Sequence, residues 1–458
     1  MAENNFSLQK TLTMLLDEKK YHSLRDILST MNPADIAAIF DDLDQARLPL
    51  LFRLLPKELA AETFVEMEPE AQELLIQGFS DSELKEVIDE LYVDDAVDIV
   101  EEMPANVVQR ILTQAEPDMR KQINEILRYP EDSAGSIMTT EYVSLRPNMT
   151  VEEAILRIRR TGIDKETIYT CYVTRGHKLI GLTSVKDLLL CEDDDATIES
   201  IMQEHVITVG TLDDKEQVAQ MFSKYNFLAL PVVDTENRLV GIVTFDDAMD
   251  VMEDEATEDM EKMAAMLPSE HPYMRSTPVE IWKNRIPWLM FLMLSATFTS
   301  MILTKFEDML AVQAGLVAFI PMLMGTGGNS GAQASTAVIR SLSLGDTEPK
   351  DAFRVMWKEW RVAAICGITL AAVNFVKMLL LDGMLLHNDS VTIAVAATVS
   401  VSIVFIVMFA KVVGSMLPII AEKVGVDPAV MANPLISTVT DAVSLLIYIN
   451  VARLILHI

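Results

Sequence analysis

Apolar residues recur at helical spacing from residue 5 to about 130, interrupted by short turns marked by Pro or by Ser and Asp. PADIAAIFDDLD from Pro33, PKELAAETFVEME from Pro56 and DSELKEVIDELY from Asp81 each open with helix-start chemistry. Their spacing of 23 to 25 residues predicts a small helical superhelix, which offers a binding surface in place of an active site. From about Ser136 the pattern changes to strands paired with helices, and it does so twice. Gly181, Ser184 and Asp187 return 60 residues later as Gly241, Thr244 and Asp247. Residues 246–267, DDAMDVMEDEATEDMEKMAAML, then read as one helix. Beyond Trp282 the stretches 286–303 and 310–339 carry no charge, and 362–381, 391–421 and 428–452 are interrupted only by Lys377, Lys411 and Asp441. Each is long enough to cross a bilayer, so five transmembrane helices are expected.

Charge divides the chain at the same place. Before residue 270 there are 56 acidic and 24 basic residues, net −32; after it there are 12 and 13, net +1. So acidic a front half repels nucleic acid and anionic lipid and calls for cations as its counter-charge. The amino terminus lacks the sections of a secretory signal, which places the front half in the cytoplasm as an expectation. Arg340, Lys350, Arg354, Lys358 and Arg361, between the second and third spans, put positive charge on that same side. Five crossings then leave the carboxyl terminus outside the cell. Cys171, Cys191 and Cys366 are scattered and odd in number, so neither a disulfide framework nor a zinc site is expected.

Three features carry candidate chemistry. Asp94 and Asp98 lie four apart on one helical face, where like charges repel. In the 246–267 segment Asp250, Asp254, Glu258 and Glu261 line a second stripe, with Glu255 and Asp259 beside it. Oxygen-only clusters suit hard ions, Mg²⁺ or Ca²⁺, and the scarcity of His and Cys argues against Zn²⁺ or Cu²⁺. A solvated acidic linker is the competing reading. Third, the last span contains NPLISTVTDAVSLLIYI, with Asn433 and Pro434 at its start and Asp441 about two turns deeper. A carboxylate in hydrocarbon costs about 2.5 to 3.5 kcal/mol on the lenient insertion scale, so Asp441 should face water, a cation path, or a partner such as Lys411. The glycines of PMLMGTGGNSGAQAS, Gly325, Gly327, Gly328 and Gly331, permit either unwound backbone or close helix contact.

The repeated glycine, strand and Ser/Thr-x-x-Asp ending resembles a tandem pair of CBS domains. That implies a regulatory module that often binds adenine nucleotides, with Asp187 at the ribose and Tyr169, Phe227 and Pro231 as further candidate contacts. The other reading of the pair is a dimerisation disc that holds no nucleotide. Taken in order, the helical front domain, the CBS pair, GTGGNSGAQ and NPLISTVTDAVSLLIY resemble the MgtE family of magnesium channels over essentially the whole chain. The resemblance implies an all-α superhelical domain at 1–132, an α/β tandem CBS pair at 133–250 (133–194 and 195–250), a connecting plug helix at 251–270 and a five-helix membrane domain at 271–458. It further implies a homodimer in the cell membrane whose pore is lined by the second and fifth spans, and Mg²⁺, with Mn²⁺ or Co²⁺ as further ions, as cargo.

Position by position, the resemblance puts Asp441 at the selectivity carboxylate, Asn433 and Ser437 in the pore, and Gly325, Gly327, Gly328 and Asn329 along it. It assigns cytosolic Mg²⁺ sites to Asp94, Asp98, Glu216, Asp247, Asp250, Glu255, Glu258 and Asp259, with Glu62 and Asp246 as weaker candidates. Ser136 and Ser223 sit where a backbone oxygen ligates. Asn226 stands where the family carries an Asp, so one site is expected to be weakened. Mg²⁺ on these sites would close the acidic domains together and set the plug helix against the pore. An ion-coupled transporter and a membrane-tethered nucleotide sensor are the alternatives; an enzyme is the least favoured, for want of a nucleophile and base or a nucleotide-hydrolysis loop.

Overall fold

The computed structural model describes residues 11–41, 43–269, 273–274, 276–307, 314–385, 392–431 and 433–457. The chain forms two compact units, 1–252 and 253–458.

The first unit begins with short helices from Tyr21–Leu28 to Pro117–Ile126. The expected starts are realised by local chemistry. Pro33 opens one helix, Pro56 precedes Lys57–Val65, and Ser80 closes a capping box with Glu83 ahead of Asp81–Ile88. Leu24, Leu28, Ile36, Phe40, Leu75 and Ile123 are among the side chains these helices bury, since each is too short to be stable without its apolar face covered.

Two three-stranded sheets follow. The first contains β1 (Tyr142–Leu145), β2 (Thr167–Arg175) and β3 (Lys178–Ser184); the second contains β4 (Val209–Gly210), β5 (Ala229–Val233) and β6 (Leu239–Thr244). In each, the first strand pairs parallel to the second and the second antiparallel to the third. The segments leading into the repeats are exchanged: Thr139 bridges to Ile242 on β6, and Gln203 to Leu182 on β3. This crossing explains the repeated glycines. A Cβ on Gly181 would lie 2.7 Å from Met202 Sδ, and one on Gly241 would lie 2.6 Å from Met138 Sδ. Tyr172, Leu179, Ala229, Val233, Leu239 and Ile242 cluster as a core drawn from both sheets. Val218, Phe222, Val243 and Val251 of the second repeat instead join the core of the front helices.

The acidic helix runs from Phe245 to Met263 and stops four residues short of the expected end at 267. Its cause is a left-handed Ala265 (φ 55°), with Met266 N–H on Glu261 O and Ala265 N–H on Lys262 O, a paired closure that terminates helices.

The second unit contains five long helices among the described residues: Pro278–Lys305, Ile320–Ser343, Ala352–Lys377, Ile393–Val424 and Asn433–Leu456. Four helical stretches, at 278–305, 349–381, 393–424 and 428–456, are long and apolar enough to cross a membrane on their own composition. Ile320–Ser343, 24 residues long, is diluted by its Gly, Ser, Thr and Asn, but it packs among the others through Leu323, Gly327, Gly331 and Ala334. Residues 310–313 of the second expected span lie outside the described residues.

Candidate cation sites

The helix Ile320–Ser343 is continuous through GTGGNSGAQ, so the backbone stays wound and Gly327, Gly328 and Gly331 serve close packing. A Cβ on Gly327 would lie 2.7 Å from Ser444 Oγ, and one on Gly328 would lie 3.3 Å from Ser437 Oγ. Gly331 likewise meets Ile436 Cγ2 at 2.7 Å, and a Cβ on Gly414 would collide with the backbone of Gly331. Gly327 and Gly328 are therefore buried against the last helix of the same chain. Gly325 and Asn329 are exposed, four residues apart on another face of their helix.

The last helix opens with Asn433, whose side chain lies outside the described residues, followed by Pro434. Thr440 and Ser444 are buried, while Ser437 and Asp441 are partly buried. Among the described residues Asp441 has no hydrogen-bond or ion-pair partner. Lys411 is not its partner: only 5 % exposed, its ammonium lies 4.0 Å from Glu359. A partly buried acidic group on an apolar helix is thus left without a partner among the described residues, with Ser437 and Ser444 at i−4 and i+3 on its side of the helix.

The first unit holds a second concentration of carboxylates. The helix Val93–Glu102 begins where Val93 N–H donates to Glu141 at 3.1 Å, which docks its amino-terminal turn on the first CBS repeat. Asp94, 6 % exposed, then comes within 4.8 Å of carboxylate oxygens of both Glu141 and Glu166. One oxygen of Glu166 is buried without a hydrogen-bond partner among the described residues. Burial first, and the nearby Asp247 second, hold Asp94 well above the ordinary range and raise Asp95 to about 7. Burial and Asp95 raise Glu166 to about 8, and burial brings Asp247 to about 6 against the opposing bonds from Thr244. Asp98, Asp246 and Glu62 reach solvent.

The Ser/Thr-x-x-Asp ending caps a helix in the first repeat and ties its Thr and Asp together in the second. Ser184 Oγ donates to Asp187 at 2.7 Å, and Asp187 N–H returns a bond of 3.0 Å; in the second repeat Thr244 donates to Asp247 through both its hydroxyl and its N–H, the latter at 3.3 Å. The two copies differ in surroundings. Asp187 is exposed, whereas Asp247 faces the carboxylates of the front helices. Of the other nucleotide candidates, Tyr169 is exposed on β2, Pro231 is buried on β5, and Phe227 lines a pocket of about 410 Å³. That pocket also includes Ser223, Asn226, Phe245, Ala248 and Met249.

Asn226 takes a left-handed conformation (φ 54°) that ends the helix Lys215–Tyr225, a position Asn tolerates better than most residues. Glu216 accepts a bond from Gln220 at 3.2 Å, Asp250 is exposed, and Ser136 is buried with its hydroxyl on Glu131 O and Ser133 O.

Glu255, Glu258 and Asp259 belong to the second unit. Lys262 Nζ lies 2.7 Å from Glu258 and 2.7 Å from Asp427, and Ser343 Oγ donates to Asp259 at 3.2 Å. Sequence patterning missed Asp95, Glu141, Glu166, Lys262 and Asp427. Asp95 sits beside a residue already singled out, but the others are isolated charges until the fold gathers them.

An acidic helical and CBS-paired module joined to a bundle of long apolar helices fits the class of membrane cation transporters, and the comparisons with known proteins agree. Residues 320–451 match the family of divalent cation transporters, 31–132 the MgtE intracellular N domain, and 134–192 and 198–254 the CBS domain. The chain is 40% identical over 455 residues to the magnesium transporter MgtE of Thermus thermophilus, covering 98% of this chain and 99% of that one. It is 31% identical over 451 residues to that of Bacillus subtilis, covering 97% of each. Among solved structures, the cytosolic domain of the Mg²⁺ channel MgtE in complex with ATP is 38% identical with a TM-score of 0.51, covering 53% of this chain and 99% of that one. The soluble part of a magnesium transporter is 32% identical with a TM-score of 0.52, covering 56% and 100%.

The chain belongs to the MgtE family. It is a family of magnesium transporters and not of enzymes; the likeness to an inosine-5'-monophosphate dehydrogenase of Korarchaeum cryptofilum, 28% identity over 114 residues, covers a quarter of this chain.

Proposed function

We propose that this chain forms a homodimeric Mg²⁺ channel of the cell membrane, closed by intracellular Mg²⁺ acting on its acidic cytosolic domains. The observation that carries the reading is Asp441: partly buried in a membrane helix, without a partner among the described residues, while Lys411 is engaged with Glu359. Two copies related by a two-fold axis would set two such carboxylates around one path, a ring of charge for a divalent ion. Mg²⁺ dehydrates reluctantly, so it would pass Asp441, Ser437 and Asn433 with most of its water retained. Passage inward releases about 4.6 kcal/mol per 100 mV for a double charge, which a channel needs no coupled ion to use.

The cytosolic sites supply the closing signal. Asp94, Glu141, Glu166 and Asp247 form one group in the first unit, and Glu216, Asp250, Glu255, Glu258 and Asp259 are the further sites. A weak site at a concentration equal to its dissociation constant contributes only about 0.4 kcal/mol. Moving a gate from 1:99 to 99:1 takes roughly 5.5 kcal/mol, so many sites must act together. Asn226 lacks the charge the family places there, and its site is the weak member. ATP is proposed as a ligand of the CBS pair, since a relative 38% identical was solved with it. The amino-terminal domains are cytoplasmic and the last helix ends outside the cell.

Mg²⁺ flux into proteoliposomes tests this directly. Asp441→Ala is expected to abolish flux, and Asp250→Ala to leave flux intact but closure poor at high internal Mg²⁺. Unchanged behaviour in both rejects the reading, and flux that requires a Na⁺ or H⁺ gradient replaces the channel with a coupled transporter.

A further inference from the structure

The helix Ala352–Lys377 of the second unit has two unlike faces in its first turns. Inward, Ala352 and Val355 pack on Val338, Leu342 and Ile419, and Glu359 approaches the buried Lys411 at 4.0 Å. Glu359 is the only acidic residue of this helix, so its outward face carries none. Outward lie two adjacent stripes, each at i, i+4 and i+7. One is Phe353, Trp357 and Trp360, which are 73, 51 and 41 % exposed; the other is Arg354, Lys358 and Arg361, all exposed. The two indole rings are stacked 5.2 Å apart at 7°, and the Arg361 guanidinium lies 6.0 Å from the Trp357 ring, which fixes the two stripes against each other. Arg354 meets Asp351 at 3.2 Å, whereas Lys358 and Arg361 have no ion-pair partner among the described residues. The next exposed residues along the helix, Val362, Ile365 and Ile368, are apolar, and the stretch 349–381 is long and apolar enough to cross a membrane. Aromatic and basic stripes thus end where a lipid-facing surface begins.

Tryptophan at the end of an apolar span settles at the headgroup level, where its ring leaves bulk water and its N–H meets polar groups. Arg and Lys side chains beside it reach the phosphates while their stems stay on the apolar surface. A zwitterionic headgroup brings an ammonium that three cations repel; an acidic one brings the phosphate alone, which Arg and Lys hold by charge-assisted hydrogen bonds. We propose that the outward face of residues 353–361 binds an acidic phospholipid, its phosphate held by Lys358, Arg361 and Arg354 and its upper acyl chain laid on Trp357 and Trp360. The site makes no use of the cytosolic Mg²⁺ sites.

The test uses the full-length protein in vesicles. Trp282→Phe with Trp288→Phe leaves Trp357 and Trp360 as the only indoles of the chain, and their fluorescence is quenched by brominated phosphatidylglycerol or brominated phosphatidylcholine. Phosphatidylglycerol is expected to half-quench at a mole fraction about ten- to twenty-fivefold lower, since Lys358 and Arg361 each strengthen the hold on acidic lipid about fivefold. The preference should shrink in high salt. Combining Arg354→Gln, Lys358→Gln and Arg361→Gln is expected to make the two lipids equal, and Lys358→Gln alone to lose about three- to fivefold of the preference. Lys283→Gln with Arg285→Gln, on the first membrane helix, should leave it in place. Equal quenching by both lipids before any charge is removed, or a preference untouched by Lys358→Gln and by the triple change, overturns the proposal. So does an equal loss in the Lys283 and Arg285 control, which would make the attraction a diffuse property of that membrane side. Quenching by neither lipid would mean that another copy of the chain covers this face, and displacement by soluble glycerol phosphate would mean a site for free phosphate; each also overturns the proposal.

Discussion

Binding of Mg²⁺ to the buried carboxylates of the first unit should release protons, and the structure gives the number. At pH 7 Asp95, raised to about 7, is half protonated, and Glu166, raised to about 8, is largely so. Burial and Asp247 also hold Asp94 well above its ordinary range. Desolvation first, and Asp247 second, raise Asp98 to about 7 as well, so it too is half protonated. A divalent ion among these groups requires them ionised, so its entry should expel roughly two protons at pH 7. Apparent affinity then falls about a hundredfold for each unit of pH lost near neutrality, because each linked proton contributes a factor of ten. Titration calorimetry of the full chain in two buffers of different protonation enthalpy measures the proton number directly. Release near zero at pH 7, with an affinity indifferent to pH between 6 and 8, would refute the picture of a desolvated carboxylate cluster. The same groups set the sign of the metal-free stability. They keep protons in the fold up to about pH 7 or 8 that the unfolded chain loses near pH 4. Unfolding therefore releases protons in that window, and the metal-free unit loses stability as pH rises through it.

Two further outcomes follow from packing. Gly241→Ala places a Cβ 2.6 Å from Met138 Sδ and 2.8 Å from Thr139 O, and since the carbonyl cannot swing aside it should cost about 1 to 3 kcal/mol, read as a lowered denaturation midpoint of the CBS pair. Gly176→Ala, with open space around it but a φ of 59°, should cost less, so equal losses would dismiss the clash argument. Glu359→Gln leaves the Lys411 ammonium buried without its counter-charge and should cost about 3 to 5 kcal/mol in a thermal or denaturant assay in micelles, whereas replacing both by leucine should be far milder. Equal effects of the single and double changes would show that the pair is not coupled.

Much of this protein is readable without coordinates, for a physical reason in each case. Spans of uncharged residues near 20 long have one stable home, so the membrane helices follow from hydropathy; the helix starts at Pro33 and Asp81 follow from caps that act within four residues. The repeated Gly, Ser/Thr and Asp betray the paired domains because each repeat meets the same packing demand at its glycine. Tertiary structure decided what depends on distant partners. Glu141 and Glu166 join Asp94 only because the front helices dock on the first repeat, and nothing in their neighbouring residues marks them. GTGGNSGAQ permits broken backbone or close contact equally well, and only the approach of Ser437, Ser444 and Gly414 selects contact. Asp441 and Lys411 were possible partners as charges on a string; the fold sends Lys411 to Glu359 and leaves the carboxylate without a partner among the described residues. Local rules act through neighbouring bonds and are written in order along the chain, whereas a charge's partner is whichever group folding brings within a few ångströms.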